Sequence, residues 1–469
     1  MNTLQQQLKQ FAETFWDASI IPALSRYIEI PAKSPLFDKA WQEHGYIDQA
    51  VTHMADWCEQ QGIEGMQLKV HRMPGRTPLL ILDIAGVTEQ PVLMYGHLDK
   101  QPEMVGWHAG LGPWQPVIKD DKLYGRGGAD DGYAVFAAIA AIKALQTQNL
   151  PHPRCIILIE ASEESGSIDL PFYMETLGDT LGKPSLVIGL DSGMGDYEHL
   201  WITTSLRGLV AGVLTVEILT EGVHSGAASG IVPSSFRLLR QLLSRVEDEK
   251  TGVITLPGCE VTIPPTRIQD AEQVSEVLND GVWTEYPWVS GAKPADLSLK
   301  EMILNKSWRS ALSITGVAGI PSLEDAGNVL RPKTSLMLSL RTPPTLDPQV
   351  AALALKKVLE ADPPHHAKVS FEIGKASPGW NAPLMQPKLH DLVNQASQHY
   401  FAQPALYWGE GGSIPFMHML GEKFPEAQFI ITGILGPHSN AHGPNEFLHI
   451  PAAKKLTACV AEILTQYAQ

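Results

Sequence analysis

Short apolar runs alternate with helical patterns through the first part of this 469-residue chain, and this alternation limits the folds open to it. Residues 79–84, 91–95, 155–159 and 185–190 have the length of buried strands, whereas residues 133–145 are rich in Ala and Ile and have the pattern of a helix. Strands that are apolar on both faces need helices on both sides of the sheet. The sequence therefore predicts an α/β fold, with a further strand at 428–435 and a final helix at 451–467.

A different order of elements occupies the middle of the chain. Strands predicted at 209–219, 311–315, 334–341 and 368–373, with helices at 233–249 and 348–361, follow the β-α-β-β-α-β order of a ferredoxin-like unit. We therefore expect a discontinuous α/β domain at 1–205 and 376–469, with an α+β domain inserted at 206–375. Segment 251–309, which contains several Pro and Trp residues, follows no pattern that predicts its structure.

The composition argues against several classes of protein. The formal net charge of −16 and the lack of a Lys/Arg-rich run argue against nucleic acid as a partner. No apolar run is long enough to cross a membrane, and the polar, Gln-rich start has no feature of a signal peptide. Cys58, Cys155, Cys259 and Cys459 are far apart, which argues against a disulfide framework and a thiolate zinc site. These features predict a cytoplasmic protein.

Acidic residues and histidines follow four of the predicted strands. They are His97 and Asp99 after 91–95, Glu163 and Glu164 after 155–159, Asp191 after 185–190, and His438 and His442 after 428–435. In an open α/β sheet the carboxyl ends of the strands line one crevice. Two imidazoles with three or more carboxylates suit zinc or a similar divalent ion, and these carboxylates exceed what one tetrahedral site uses. The pattern predicts two metal ions bridged by one carboxylate, although each His alone is also typical of a packed histidine.

The adjacent carboxylates of Glu163 and Glu164 repel each other, and an apolar strand gives no structural reason to place them at its end. Because neighbouring residues of an extended chain point in different directions, one carboxylate could bind a metal while the other faces water as a general base. The alternative is a solvated turn.

The glycine-rich stretch 125–132 has a superficial likeness to a dinucleotide-binding loop. Asp130 replaces the third glycine of that fingerprint, and its charge would oppose a pyrophosphate. Asp131 has the alternative interpretation of a helix cap. Two other hydrolytic designs are excluded, because the chain has neither a Gly-x-Ser-x-Gly nor a His-Glu-x-x-His motif.

These motifs, in this order from about Tyr95 to Glu446, resemble metallopeptidase family 20. That family contains carnosinase-like dipeptidases, glutamate carboxypeptidases, aminoacylases, acetylornithine deacetylase and succinyl-diaminopimelate desuccinylase. The resemblance implies an α/β/α di-zinc peptidase domain with an inserted ferredoxin-like lid domain through which the protein forms a homodimer. The metal ions would be zinc, with manganese or cobalt as alternatives.

The resemblance also implies a role for each matched residue of the first domain. His97 and Asp191 would bind one metal ion, Glu164 and His442 the other, and Asp130 would bridge them, while Glu163 is the general base and Asp99 the partner of His97. His442 is preferred to His438 because it begins the His-x-x-Asn-Glu pattern of the family.

Three features of the lid and its rim match as well. His224 resembles the residue that reaches a partner subunit's active site and steadies the oxyanion, and Arg341 resembles the residue that binds the substrate carboxylate. Gly412 and Ser413 lie in a segment that resembles a substrate-binding loop. The alternatives are a surface histidine for His224 and a strand-end salt bridge for Arg341.

The function implied is hydrolysis of a peptide or amide bond by a dipeptidase that acts on small peptides with a free C-terminal carboxylate. An N-acyl amino acid deacylase, such as a succinyl-diaminopimelate desuccinylase, is the alternative within the same chemistry. A non-catalytic ligand-binding protein that retains the fold is the alternative of another class. Many members of the family have Asp-Asp-Lys-Gly where this chain has Asp130-Asp131-Gly132-Tyr133, and this difference leaves the subgroup open.

Overall fold

The computed structural model describes residues 3–295 and 297–469, which form two compact units. The first unit takes the chain up to Thr204, with Ala382–Trp408 and Met419–Gln469, and the second is Ser205–Asn381 with Gly409–His418. Met1 and Asn2, at the start of the first predicted domain, and Asp296, within 251–309, lie outside the described residues.

The strands, in chain order, are β1 Met66–His71, β2 Leu79–Ile84, β3 Val92–His97, β4 Val117–Lys119, β5 Lys122–Tyr124, β6 Cys155–Glu160, β7 Leu186–Gly189, β8 Trp201–Leu206, β9 Gly208–Glu217, β10 Val223–His224, β11 Ala311–Ala318, β12 Val329–Leu330, β13 Lys333–Thr342, β14 Lys368–Ser377, β15 Trp380–Asn381, β16 Leu406–Glu410, β17 Gln428–Ile431 and β18 Phe447–His449. The α-helices are α1 Thr3–Phe15, α2 Ile21–Ile28, α3 Trp41–His44, α4 Tyr46–Gln60, α5 Tyr133–Thr147, α6 Leu170–Leu181, α7 Ser225–Ala228, α8 Ser235–Leu243, α9 Pro265–Leu278, α10 Gly281–Thr284, α11 Leu299–Ser307, α12 Pro348–Glu360, α13 Pro387–Tyr400, α14 Pro415–Lys423 and α15 Ile450–Tyr467.

The first unit is built on a six-stranded mixed sheet in the order β1-β2-β6-β3-β7-β17. Strands β6, β3, β7 and β17 run parallel, whereas β1 and β2 pair antiparallel at one edge. Every residue of β3, β6 and β7 is buried, as expected of strands covered on both faces, and α5 is buried almost all round. The predicted α/β fold is confirmed, and the carboxyl ends of the parallel strands meet at one edge of the sheet.

The second unit contains a four-stranded antiparallel sheet in the order β11-β13-β9-β14. Burial alternates along β9, which is the pattern of a sheet with one face on a core. That core also takes apolar residues from α8 and α12. With α8 between β9 and β11, and α12 between β13 and β14, the chain follows the predicted ferredoxin-like order. Segment 251–309, for which no structure was predicted, contains α9, α10 and α11.

Two further predictions concern the chain as a whole. The four cysteines are buried and free, so they form no disulfide framework. Within residues 3–295 and 297–469, none of the helices has both the length and the hydropathy that a membrane span requires.

Candidate functional site

Parallel strands deliver most of the predicted ligands to one place in the first unit. His97 is the last residue of β3, and Asp191 comes two residues after β7 ends. Glu163 and Glu164 follow β6 in the short 3₁₀ turn Glu163–Ser165. The prediction that the two glutamates lie in extended chain is therefore wrong. Their side chains point in different directions because the residues follow each other in a turn.

The first group of possible metal ligands is His97, Asp130 and Asp191, whose ligand atoms all lie within 4.8 Å of one another. His97 Nε2 lies 3.2 Å from Asp130 Oδ1 and 3.8 Å from Asp191 Oδ2. The His97 ring is 1 % exposed. One imidazole and two carboxylates in this arrangement form a donor set suited to a divalent ion.

The second group is Asp130, Glu164 and His442, again with ligand atoms within 4.8 Å. His442 Nε2 lies 3.1 Å from Asp130 Oδ2 and 3.4 Å from Glu164 Oε2. Asp130 thus directs one carboxylate oxygen to each histidine, which is the arrangement expected of a carboxylate shared by two ions. His438 is exposed and belongs to neither group.

Burial and mutual repulsion dominate the electrostatics of this cluster. Burial, followed by the charge of Asp191, raises the pKa of Glu163 well above its usual range, and burial with the charge of Asp130 does the same for Glu164. Burial opposes ionisation of Asp130 as well, but hydrogen bonds from His442 and His97 outweigh it and hold its pKa below the usual range. The cluster contains more carboxylates than the histidines can neutralise.

Two buried carboxylate oxygens near the cluster, Glu164 Oε1 and Asp131 Oδ1, have no hydrogen-bond partner among the described residues. An unsatisfied buried oxygen is costly, and Glu164 Oε1 belongs to a carboxylate already adjacent to two further ligands. The donor set therefore fits divalent metal ions.

Asp99 lies beneath the cluster and is completely buried. Its two carboxylate oxygens accept hydrogen bonds from the backbone N–H groups of Glu163 and Glu164, at 3.1 and 3.0 Å. The nearest partner of His97 Nδ1 is the backbone oxygen of Asp99, at 3.1 Å, whereas the Asp99 carboxylate lies at 3.5 Å. Asp99 therefore orients the glutamate pair with its side chain and His97 mainly with its main chain.

Asp131 does not cap α5, because the N-cap is Gly132 and no side-chain cap is formed. Instead, Asp131 Oδ2 accepts a 3.2 Å hydrogen bond from the backbone N–H of His97. At Gly132 an added Cβ would lie 2.1 Å from Cε1 of Tyr27, so the aromatic ring leaves no room for a side chain at this position.

Three residues around the cluster were not identified from the sequence. Gln101 donates a 2.5 Å hydrogen bond from Nε2 to Glu164 Oε2, and the buried Arg126 forms an ion pair with the buried Glu446. Arg126 and Glu446 lie inside the motifs that carry Asp130 and His442, so their positions were visible in the sequence. Nothing in the sequence indicates that they pair.

The remaining predicted residues belong to the second unit. Arg341 Nη1 donates a 3.1 Å hydrogen bond to Ser413 Oγ, and no carboxylate among the described residues pairs with Arg341. His224 ends β10 and is exposed, as is Gly412. The salt-bridge alternative for Arg341 is therefore not observed.

Comparisons with known proteins identify the family and the fold of the chain. The sequence model described as "Peptidase family M20/M25/M40" matches residues 93–466. Cysteinylglycine-S-conjugate dipeptidase of Corynebacterium striatum is 28 % identical, over 91 % of this chain and 93 % of the relative. Human carnosine dipeptidase 1 has a similar structure, with a TM-score of 0.79 at 19 % identity over 100 % of this chain and 99 % of that one. The dipeptidase Dug1p of Saccharomyces cerevisiae reaches 0.80 at 20 % identity, with the same coverage.

Proposed function

Because the chain belongs to the peptidase family M20/M25/M40, we propose that it is a two-metal dipeptidase that cleaves small peptides with a free C-terminal carboxylate. It is a hydrolase of peptide C–N bonds, and relatives that cover most of its length are dipeptidases. The single observation that carries the two-metal proposal is Asp130, whose two carboxylate oxygens face two different histidines, at 3.2 and 3.1 Å.

His97 with Asp191 would hold one ion, Glu164 with His442 the other, and Asp130 would be shared. Divalent ions bound there would polarise the scissile carbonyl and make a water acidic enough to attack it at neutral pH. We propose zinc, with manganese or cobalt as alternatives that use the same imidazole and carboxylate donors.

Glu163 is the proposed general base. Its carboxylate forms no hydrogen bond with another described residue, whereas Asp99 holds its backbone N–H in place. The carboxylate takes a proton from the attacking water and returns it to the leaving amine. Burial raises the pKa of this carboxyl well above its usual range, which makes the carboxylate a stronger acceptor for the proton of the water.

The second unit supplies the proposed substrate contacts. Arg341, Ser413 and Gly412 would bind the C-terminal carboxylate, since a guanidinium and a hydroxyl are donors that suit a carboxylate. We propose that His224 steadies the oxyanion in the active site of a second copy, which requires a homodimer formed through this unit. Ile314 and Val317 on the edge strand β11 are exposed. They support this proposal, because exposed apolar side chains on an edge strand favour association with another chain.

We further propose a cytoplasmic location, which four buried free thiols support.

The test is a substrate panel with added zinc or manganese, assayed on wild-type protein and on Glu163→Gln. The panel contains cysteinylglycine, carnosine and N-acetyl and N-succinyl amino acids. We expect hydrolysis of the dipeptides, and a fall in kcat of about 10²–10⁴-fold in Glu163→Gln with the metal content unchanged. The exposed Glu175 on α6 provides the matched control, Glu175→Gln, which should behave as wild type.

Three outcomes would contradict the proposal. Faster hydrolysis of the N-acyl amino acids would support the deacylase alternative. Wild-type activity in Glu163→Gln would remove the assigned base. The absence of both hydrolytic activity and metal uptake on titration would favour the alternative of a ligand-binding protein that retains the fold.

A further inference from the structure

Arg207 is a buried arginine of the second unit that has no carboxylate partner within the described part of the chain. It is 9 % exposed and contacts main-chain oxygens instead. Nε donates to the oxygen of Gly411, and Nη1 donates to the oxygens of Asn305 and Arg309, each at 3.3 Å. A buried charge without a counter-charge is costly, and the three main-chain oxygens satisfy the guanidinium without neutralising its charge.

Arg207 lies directly before β9, and Arg341 lies on the neighbouring strand β13. Arg341 pairs with Leu209 in the antiparallel register of β13 and β9, and Arg207 precedes Leu209 by two residues. The two residues are thus near neighbours across this pair of strands, and both side chains bind the segment 411–413. Burial, followed by the positive charge of Arg341, lowers the pKa of Arg207 to about 10.

Both arginines hold the same loop. Arg207 binds the oxygen of Gly411, and Arg341 Nη1 binds Ser413 Oγ two residues later. An added Cβ at Gly411 would lie 2.9 Å from Nη2 of Arg207, so the contact requires glycine or a shift of the side chain. The loop 411–413 is therefore held at both ends by arginines that form no ion pair with a carboxylate among the described residues.

We propose that Arg207 is a positioning residue for the carboxylate of the substrate. It fixes the Gly411 end of the loop so that Ser413 stays beside Arg341, and it adds a second positive charge to the place where a carboxylate binds. The inference rests on the proposed function, in which Arg341 and Ser413 bind the C-terminal carboxylate of a dipeptide. The site as a whole then favours a free carboxylate over an uncharged amide.

Arg245 provides a matched control in the same unit. It also donates to main-chain oxygens, those of Val358, Ala361 and Asp362, and does not contact the loop 411–413. Arg245→Met therefore removes a comparable set of hydrogen bonds without touching the proposed carboxylate site.

The experiment compares steady-state hydrolysis of cysteinylglycine and of its C-terminal amide by the metal-loaded protein. In Arg207→Met we expect KM for cysteinylglycine to rise about tenfold, the loss of one charge-assisted contact, with kcat within about twofold of wild type. The preference for the free acid over the amide should fall by a similar factor. In Arg245→Met, KM and this preference should equal those of wild type, whatever the loss of thermal stability.

Two results would overturn the inference: an unchanged KM in folded Arg207→Met, or an equal rise in KM in Arg245→Met. If Arg207→Met does not fold, Arg207→Lys replaces it, because lysine keeps the charge but cannot span three oxygens as the guanidinium fork does. A wild-type KM in Arg207→Lys would refute the positioning role. Arg341→Met distinguishes the positioning role of Arg207 from the carboxylate site itself. An unchanged preference for the acid in that variant would refute the carboxylate site of the proposed function.

Discussion

Replacement of Arg126 by methionine is the most informative perturbation of the first unit. Arg126 and Glu446 are 1 % and 0 % exposed and form an ion pair. Arg126 Nη2 also donates to the oxygen of Gly443 at 2.7 Å, and Nε donates to the oxygen of Pro102 at 3.2 Å. One guanidinium thus joins the segment that carries Asp130, the loop that carries His442 and the segment that follows β3.

The backbone of the His442 loop shows why it needs this support. His442 has a φ of 65°, in the left-handed region that costs a residue other than glycine about 1–3 kcal/mol. Such a conformation persists only where its surroundings fix it, and Arg126 binds the oxygen of the next residue, Gly443. We therefore expect His442 to relax, and to move away from Asp130, when Arg126 is removed.

Two magnitudes follow for Arg126→Met. Removal of one partner from a buried ion pair costs about 3–5 kcal/mol of unfolding free energy, because Glu446 is left buried without its counter-charge. Loss of a residue that orients metal ligands costs about 10–100-fold in metal affinity. Denaturant unfolding of the metal-free protein measures the first quantity, and competition with a chelator measures the second.

Arg154→Met is the control for this experiment. Arg154 pairs with Asp83 at 2.9 and 2.5 Å, but both side chains are about a third exposed and lie at the opposite end of β6 from the ligands. An exposed pair contributes about 0–1 kcal/mol, so this variant should lose little stability and no metal affinity. If folded Arg126→Met binds metal as tightly as wild type, the positioning role of Arg126 is wrong.

Three further predictions concern the surroundings of the site. Lys100→Met should lower the unfolding free energy by about 3 kcal/mol, because the buried Nζ donates to three main-chain oxygens at the end of α2. Denaturant titrations that show no loss beyond experimental error would contradict this. Gly132→Ala should lower the melting temperature, because its Cβ would overlap the ring of Tyr27, and an unchanged value would show that the ring moves freely. Burial, with the charge of Asp99, raises the pKa of Glu160 from 4.5 to about 7. Between these two pH values the folded metal-free protein therefore binds more protons at this group than the unfolded chain does. The contribution of Glu160 to the unfolding free energy consequently falls as the pH rises from 4.5 to about 7. Glu160→Gln should flatten that slope in unfolding measurements at pH 5 and 8, and an equally steep slope would assign it to another group.

The cluster of candidate ligands could be predicted because its position depends on strand direction. Once β3, β6 and β7 are identified as buried strands of one sheet, their parallel pairing brings the residues after each carboxyl end together. His97, Glu164 and Asp191 required no knowledge of side-chain packing. The identity of each residue's partner required more, since His97 Nδ1 contacts the Asp99 main chain more closely than its carboxylate.

Packing decides what could not be predicted. Arg126 and Glu446 are 320 residues apart, and a buried pair at that separation leaves no periodic signal in the sequence. The helix α9 gives another example, because its buried positions are Arg267, Ala271 and Val274. Their spacing of four and three is helical, but an arginine and an alanine do not form the apolar stripe by which a helix is recognised.

The adjacent glutamates show how tertiary contacts assign chemistry that a sequence leaves open. Asp99 accepts hydrogen bonds from the backbone N–H groups of Glu163 and Glu164, which fixes the turn and the position of each glutamate in it. Gln101 then donates a hydrogen bond to Oε2 of Glu164 and holds that side chain beside His442, whereas no described residue donates a hydrogen bond to the Glu163 carboxylate. A carboxylate fixed by hydrogen bonds suits a metal ligand, and one free to turn suits a base that must take a proton from one atom and give it to another. The different roles proposed for these two identical residues therefore rest on Asp99 and Gln101, which precede them by more than sixty positions.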